Sequence, residues 1–240
     1  MAPKSYRRGY PVAVLVGVEC DHAAIWQVFS QVAKHQQTQR LDGNRNDAKA
    51  AYNFHESLVN ALRPSLKEGV KSVVVASPAR TSYAQDFLSH IKAHHNWLIS
   101  GPNKAAISTI TGSASTPPDV AALTKTAAFK ELISETTAQE TENLLELLEK
   151  RLNDTENLVA FSVEETEALI FAVQPQGKAQ PEYLLLTDEY LSGTRQKNRV
   201  QRLMQIAKNK GVKTRVISAE SSAGERLTQL GGLVCLLKPV

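Results

Sequence analysis

The side chains of this sequence best suited to chemistry gather around residue 90. Asp86, His90 and His94 stand at i, i+4 and i+8 on a segment of helical pattern, with His95 adjacent. Two histidines one turn apart can present ring nitrogens to a metal from one helical face. The sequence supplies no obvious second cluster, and the glutamate of an H-E-x-x-H motif is missing, so no metal and no cofactor is expected. His55, beside Phe54, reads as a helix-face residue rather than a base. Ser77 follows an apolar run as a nucleophile would, but no G-x-S-x-G elbow surrounds it, and Pro78 explains the break. No G-x-x-x-x-G-K-[ST] phosphate loop occurs. No catalytic residue is assigned, and an enzyme is the less favoured reading.

What remains is charge. Lys34, His35, Arg40, Arg45 and Lys49 crowd one polar segment around Gly43, opposed by Asp42 and Asp47 and interleaved with Gln36, Gln37 and Gln39. Long cationic side chains on a loop can follow phosphates, and each phosphate neutralised releases counterions. The other reading is an ordinary solvated hairpin. Arg7 and Arg8, with Lys4, Tyr6 and Tyr10 nearby, have the make-up of a nucleic-acid arm or of a disordered tail. Residues 1–120 carry thirteen Lys and Arg against eight Asp and Glu, whereas residues 121–240 carry fifteen against sixteen. A basic half followed by a near-neutral half suggests polyanion contact by the first and protein contact by the second. Trp26 and Trp97 read as core or edge packing rather than base-stacking platforms.

These residues sit on a chain of 240, long enough for two ordinary domains, with 42% hydrophobic and 22% charged residues. The apolar run Pro11–Val18 is too short to span a bilayer and is closed by Glu19. Glu19-Cys20-Asp21 offers no small-residue cleavage site, so the basic start is expected to lead into a core strand rather than to act as an export signal. Cys20 and Cys235 are expected to be reduced and buried in a cytosolic protein.

Periodicity then gives strands at Val12–Val16 and Ala24–Phe29, a polar segment from Lys34 to Asn46, and a helix from Asp47 that Pro64 stops. A strand at Lys71–Ala76, a helix from Thr81 to about Ala93 and a brief strand at Ala106–Thr111 follow. Thr137-x-x-Glu140 reads as a capping box ahead of an apolar stripe at Leu144, Leu147, Leu148 and Leu152. Beyond it helix and strand alternate: Glu164–Ala172, strand Glu182–Thr187, Gln196–Asn209, strand Lys213–Ser218, Gly224–Leu230, strand Leu233–Leu237. The expected architecture is two mixed-sheet α/β domains, residues 1–135 and 136–240.

The chain resembles the Pelota and class 1 release-factor superfamily, nearer the Pelota branch. The resemblance rests on the order of features after Arg195: a helix ending in K-G, the strand Thr214–Ile217, a Ser-rich turn, G-E-R-L-T-Q-L-G-G and an apolar strand ending in K-P-V. Earlier segments fit as well: Y-N-F-H-E-S-L-V-N-A-L, K-S-V-V-V-A-S-P-A-R, V-A-F-S-V-E-E-T-E-A-L and Y-L-L-L-T-D-E-Y-L. It implies an RNase H-like central domain followed by an L7Ae-like C-terminal domain, with the family's N-terminal decoding domain expected to be missing. It also implies a cytoplasmic factor that meets the ribosome through rRNA or tRNA and docks a translational GTPase or a recycling ATPase, with no membrane partner. Of the 12 glycines none opens a Gly-Gly-Gln tripeptide, so the peptide release typical of release factors is not expected. Binding in ribosome rescue, recycling or termination-related quality control is the leading expectation. A peptidyl-tRNA hydrolase using another residue, or a small RNA-binding protein outside the ribosome, are the alternatives.

Overall fold

A computed structural model describes residues 10–30, 32–101, 104–172 and 179–239. The chain divides into two compact units after Glu140, apart from Lys67–Gly69, which group with the second. The boundary expected near Glu135 falls inside a continuous helix, α4 (Ala127–Leu152).

In the first unit, β1 (Pro11–Val18) and β2 (His22–Phe29) are apolar runs that pair antiparallel, and β3 (Ala33–Arg40) adds to the far side of β2. β4 (Ser72–Ser77) and β5 (Ala106–Thr111) extend the other side in parallel, for an order β3-β2-β1-β4-β5. The alternation of strand side chains makes two cores. Val14, Val16, Ile25, Val73 and Val75 meet α1 (Ala48–Lys67) and α2 (Tyr83–His94) through Phe54, Leu58, Leu62, Phe87 and Ile91. Ala13, Leu15, Trp26, Val28 and Val74 meet α3 (Pro117–Leu123) and the start of α4 through Val120, Leu123 and Phe129.

The second unit repeats the three-layer plan. β6 (Val159–Ala160), β9 (Leu233–Lys238), β7 (Gln180–Thr187) and β8 (Lys213–Ile217) lie side by side in that order, β7 and β8 parallel and the other pairs antiparallel. One face packs on α5 (Val163–Phe171) and α7 (Lys197–Asn209), the other on the end of α4 and on α8 (Ser222–Gln229). A short α6 (Asp188–Gly193) follows β7. The Gly231-Gly232 pair ends α8 in the left-handed region, with φ of 100° and 80°, which side chains disfavour. Gly232 then accepts a bond from the Thr187 amide at 2.9 Å, setting β9 beside β7. The α/β class with two mixed sheets is therefore as expected.

Four local expectations are corrected. Pro64 lies inside α1 instead of ending it. Proline removes one helical bond, but the next turn is held by buried Leu66 and by Ser65, whose Oγ donates to Gln27 Oε1 at 3.1 Å. Thr137 is no cap, because α4 is already two turns old there, and its hydroxyl bonds back to the Ile133 carbonyl at 2.7 Å. Of the polar segment Lys34–Asn46, the part up to Arg40 is a strand, not a loop. Cys20 is exposed in the turn after β1, while Cys235 is buried, its thiol pushed up to about 12 by desolvation. Among the described residues no helix is long and apolar enough to cross a membrane.

Candidate nucleic-acid interface

The expected basic segment is divided among three elements. Lys34, His35 and Arg40 lie on β3, the edge strand of the first sheet, and all three are exposed. Edge strands commonly carry charge because it discourages pairing with another chain. The register places Ile25 opposite Gln37 but Trp26 opposite His35, so Gln36 is the extra residue of a bulge. The bulge inverts the phase of the strand. His35 shares the face of Trp26, its ring meeting the indole edge-on at 4.9 Å, and Arg40 and Thr38 fall on that face too. His35 Nε2 is 2.9 Å from Thr38 Oγ1. Lys34 lies opposite Gln27, on the face that α1 covers. Gln36 and Gln37 also turn that way, donating to Gln27 Oε1 at 2.7 Å and to the Ala61 carbonyl at 3.3 Å.

Arg45 is committed elsewhere. Its Nε donates to the Cys20 carbonyl at 3.1 Å and its Nη2 to the Glu19 carbonyl, and the guanidinium stands 4.1 Å from the centre of the Tyr83 ring. It ties the β1–β2 turn to α2. Lys49 sits in the first turn of α1, exposed, its amide held by Asp47 Oδ1 at 2.8 Å. Arg7 and Arg8 lie outside the described residues. Trp26 is core, 3% exposed, with Nε1 donating to the Ala114 carbonyl at 2.7 Å. Trp97, by contrast, is 44% exposed and lies 5.0 Å under the Arg63 guanidinium.

The histidines at the end of α2 and just past it converge in a way sequence spacing did not show. His90 and His95, not His90 and His94, direct Nε2 at one acceptor, Glu56 Oε1 on α1, at 3.2 and 2.7 Å. Desolvation lowers the pKa of His90 against the opposing pull of Glu56. Desolvation would raise the Glu56 carboxyl, but the hydrogen bonds from His95 and His90 bring it below its usual value. His55 is buried, and desolvation, with the charges of His90 and Arg45, pushes it down to about 4.

Residues 137–238 match the sequence family described as eRF1 domain 3. Comparison with curated protein sequences gave no match. The fold is similar to that of Dom34 from S. cerevisiae, described as a translation termination-like factor involved in RNA quality control pathways and interacting with Hbs1. The TM-score is 0.51 at 20% identity, over 95% of this chain and 63% of that one. It is also similar to archaeal Pelota in a ribosome-bound assembly with ABCE1, with a TM-score of 0.53 at 20% identity, over 99% of this chain and 64% of that one. The chain thus spans less than two thirds of the length of either relative, and the likeness to both is one of fold.

Proposed function

We propose that this protein, whose residues 137–238 match the family described as eRF1 domain 3 and whose fold is similar to that of Dom34 and archaeal Pelota, is a ribosome-associated translation factor. It acts by binding, in ribosome rescue, recycling or termination-related quality control. The observation that carries this reading is the family match across the second unit, a domain type that belongs to translation. The first unit supplies the RNA contact, through the exposed cations Lys34 and Arg40 of β3 and Lys49 at the start of α1. The second unit supplies the protein contact. Phe161, just before the N-cap of α5, and Phe171, its last residue, are 43% and 38% exposed, and exposed rings of this kind suit the apolar part of a protein interface. A translational GTPase or a recycling ATPase is the partner of that surface, and the cytoplasm is where it would meet one.

The RNA part is tested by changing Lys34, Arg40 and Lys49 together to glutamine. Arg45 is left alone, because its loss would untie the β1–β2 turn and confuse folding with binding. Each phosphate contact removed should flatten the plot of log affinity against log salt by about 0.7–0.9. The triple variant should therefore bind purified ribosomes more weakly and with a shallower salt dependence. Identical binding at every salt concentration would take β3 and the start of α1 out of the interface.

A further inference from the structure

The ribosomal role leaves the group formed by Glu56, His90 and His95 without a task. Glu56 projects from the third turn of α1, His90 from the second half of α2, and His95 from the residue just past α2, where φ of −129° and ψ of 47° have left the helix. One donor atom from each lies within 4.8 Å of the other two. The two imidazole side chains are 6% and 9% exposed and the carboxylate 28%, so solvent reaches the group from the glutamate side.

Rings hold both histidines in place. Tyr52 meets His90 edge-on at 5.1 Å, and Trp97 meets His95 edge-on at 6.4 Å. The His55 ring lies 5.2 Å from His90, and its buried Nε2 has no hydrogen-bond partner. Two imidazoles and a carboxylate are a donor set with which zinc sites keep one position open. Around one zinc, such atoms stand roughly 3.3–3.5 Å apart in a tetrahedron of bonds near 2.0–2.2 Å. The separations of 2.7 and 3.2 Å from Glu56 Oε1 need side-chain shifts of less than about 1 Å to admit the ion. Without a metal, two buried rings must share one carboxylate oxygen. With one, the same three atoms become ligands.

We propose that Glu56, His90 and His95 bind one divalent transition-metal ion, for which Zn²⁺ is the best fit to imidazole with carboxylate. The ion clamps α1 to α2 on one face of the first sheet. Its fourth position is open to water or to an exogenous ligand. The site does not rest on the ribosomal reading.

The test uses the full chain, stripped of metal by chelation. Zn²⁺ is titrated against a chromophoric competitor, and Co²⁺ is added separately for its visible absorption. One equivalent should bind, with the intense d–d bands of a four-coordinate ion, and Zn²⁺ should raise the melting temperature. Glu56→Gln and His95→Ala should each weaken binding at least about tenfold and abolish the thermal shift. His94→Ala, exposed and outside the three donors, should bind like the parent. If His95→Ala fails to fold, Glu56→Gln, altering a partly exposed carboxylate, decides alone. Absence of saturable binding would overturn the proposal. So would equal binding by Glu56→Gln, since the ion would then sit on other histidines.

Discussion

Gly224→Ala should destabilise the second unit more than any surface change in it. Gly224 lies in the first turn of α8, and a Cβ there would stand 1.9 Å from the Ser218 carbonyl oxygen and 2.8 Å from Ala219 Cα. Both obstacles are backbone, so no rotamer change relieves them. The turn is also fastened. Ser221 Oγ donates to that same Ser218 oxygen at 2.7 Å and accepts from the Gly224 amide at 3.1 Å. The helix would have to lift, drawing Ala223 and Leu227 away from Tyr183, Ile217 and Val234. Overpacking costs roughly 1–3 kcal/mol, occasionally more, and a clash with fixed backbone belongs at or beyond the top of that range. Gly193→Ala is the control, because nothing stands within 4 Å of its Cβ position. Urea unfolding of the two variants should separate them by about 2 kcal/mol or more. Equal midpoints would show that α8 is not seated against the turn as described.

The second large effect belongs to Trp26. Its indole is buried on the α3–α4 face of the first sheet and reaches 88 residues along the chain to the Ala114 carbonyl. It also backs His35 on the edge strand. Trp26→Ala should cost about 3–5 kcal/mol as a large cavity. Trp26→Phe keeps most of the ring but strips the buried carbonyl of its donor, for about 1–3 kcal/mol. Chemical denaturation followed by far-ultraviolet circular dichroism would rank them. Equal losses would mean that the hydrogen bond, rather than the ring volume, holds this corner. Because β3 leans on this residue, Trp26→Ala should also loosen the strand that carries Lys34 and Arg40.

Most of the fold was legible because its strands are short apolar runs and its helices carry clear stripes. β5 was expected at the residues where it lies, and β4, α7 and β9 within a residue or so. The failures have physical causes. Five positions have the form Ser or Thr, two residues, then Asp or Glu: Ser65, Thr116, Thr137, Ser162 and Ser222. Thr116 and Ser162 have extended backbone and cap α3 and α5, accepting bonds from the Asp119 and Glu165 amides. Thr137 is interior because residues from Ala127 onward are already helical. Local sequence holds the motif but not its phase in a helix. β3 was read as a loop because its seven polar residues in eight show no apolar alternation. It is a strand through pairing with β2, an interaction its own residues do not announce. The bulge at Gln36 then separates Lys34 from Arg40, which spacing could not show. The histidine spacing pointed to His90 with His94. The partner that completes the group, Glu56, lies 34 residues before His90, and only the packing of α1 beside α2 brings it there.

The proposed function requires that this chain bind ribosomes. It is tested by sedimentation of the purified 240-residue chain with purified ribosomes through a sucrose cushion, across a range of salt concentrations. Saturable, near-stoichiometric co-sedimentation is expected at low salt, falling as salt rises if cation–phosphate contacts supply part of the affinity. A protein that stays in the supernatant at every salt concentration, with ribosomes in excess, would contradict it.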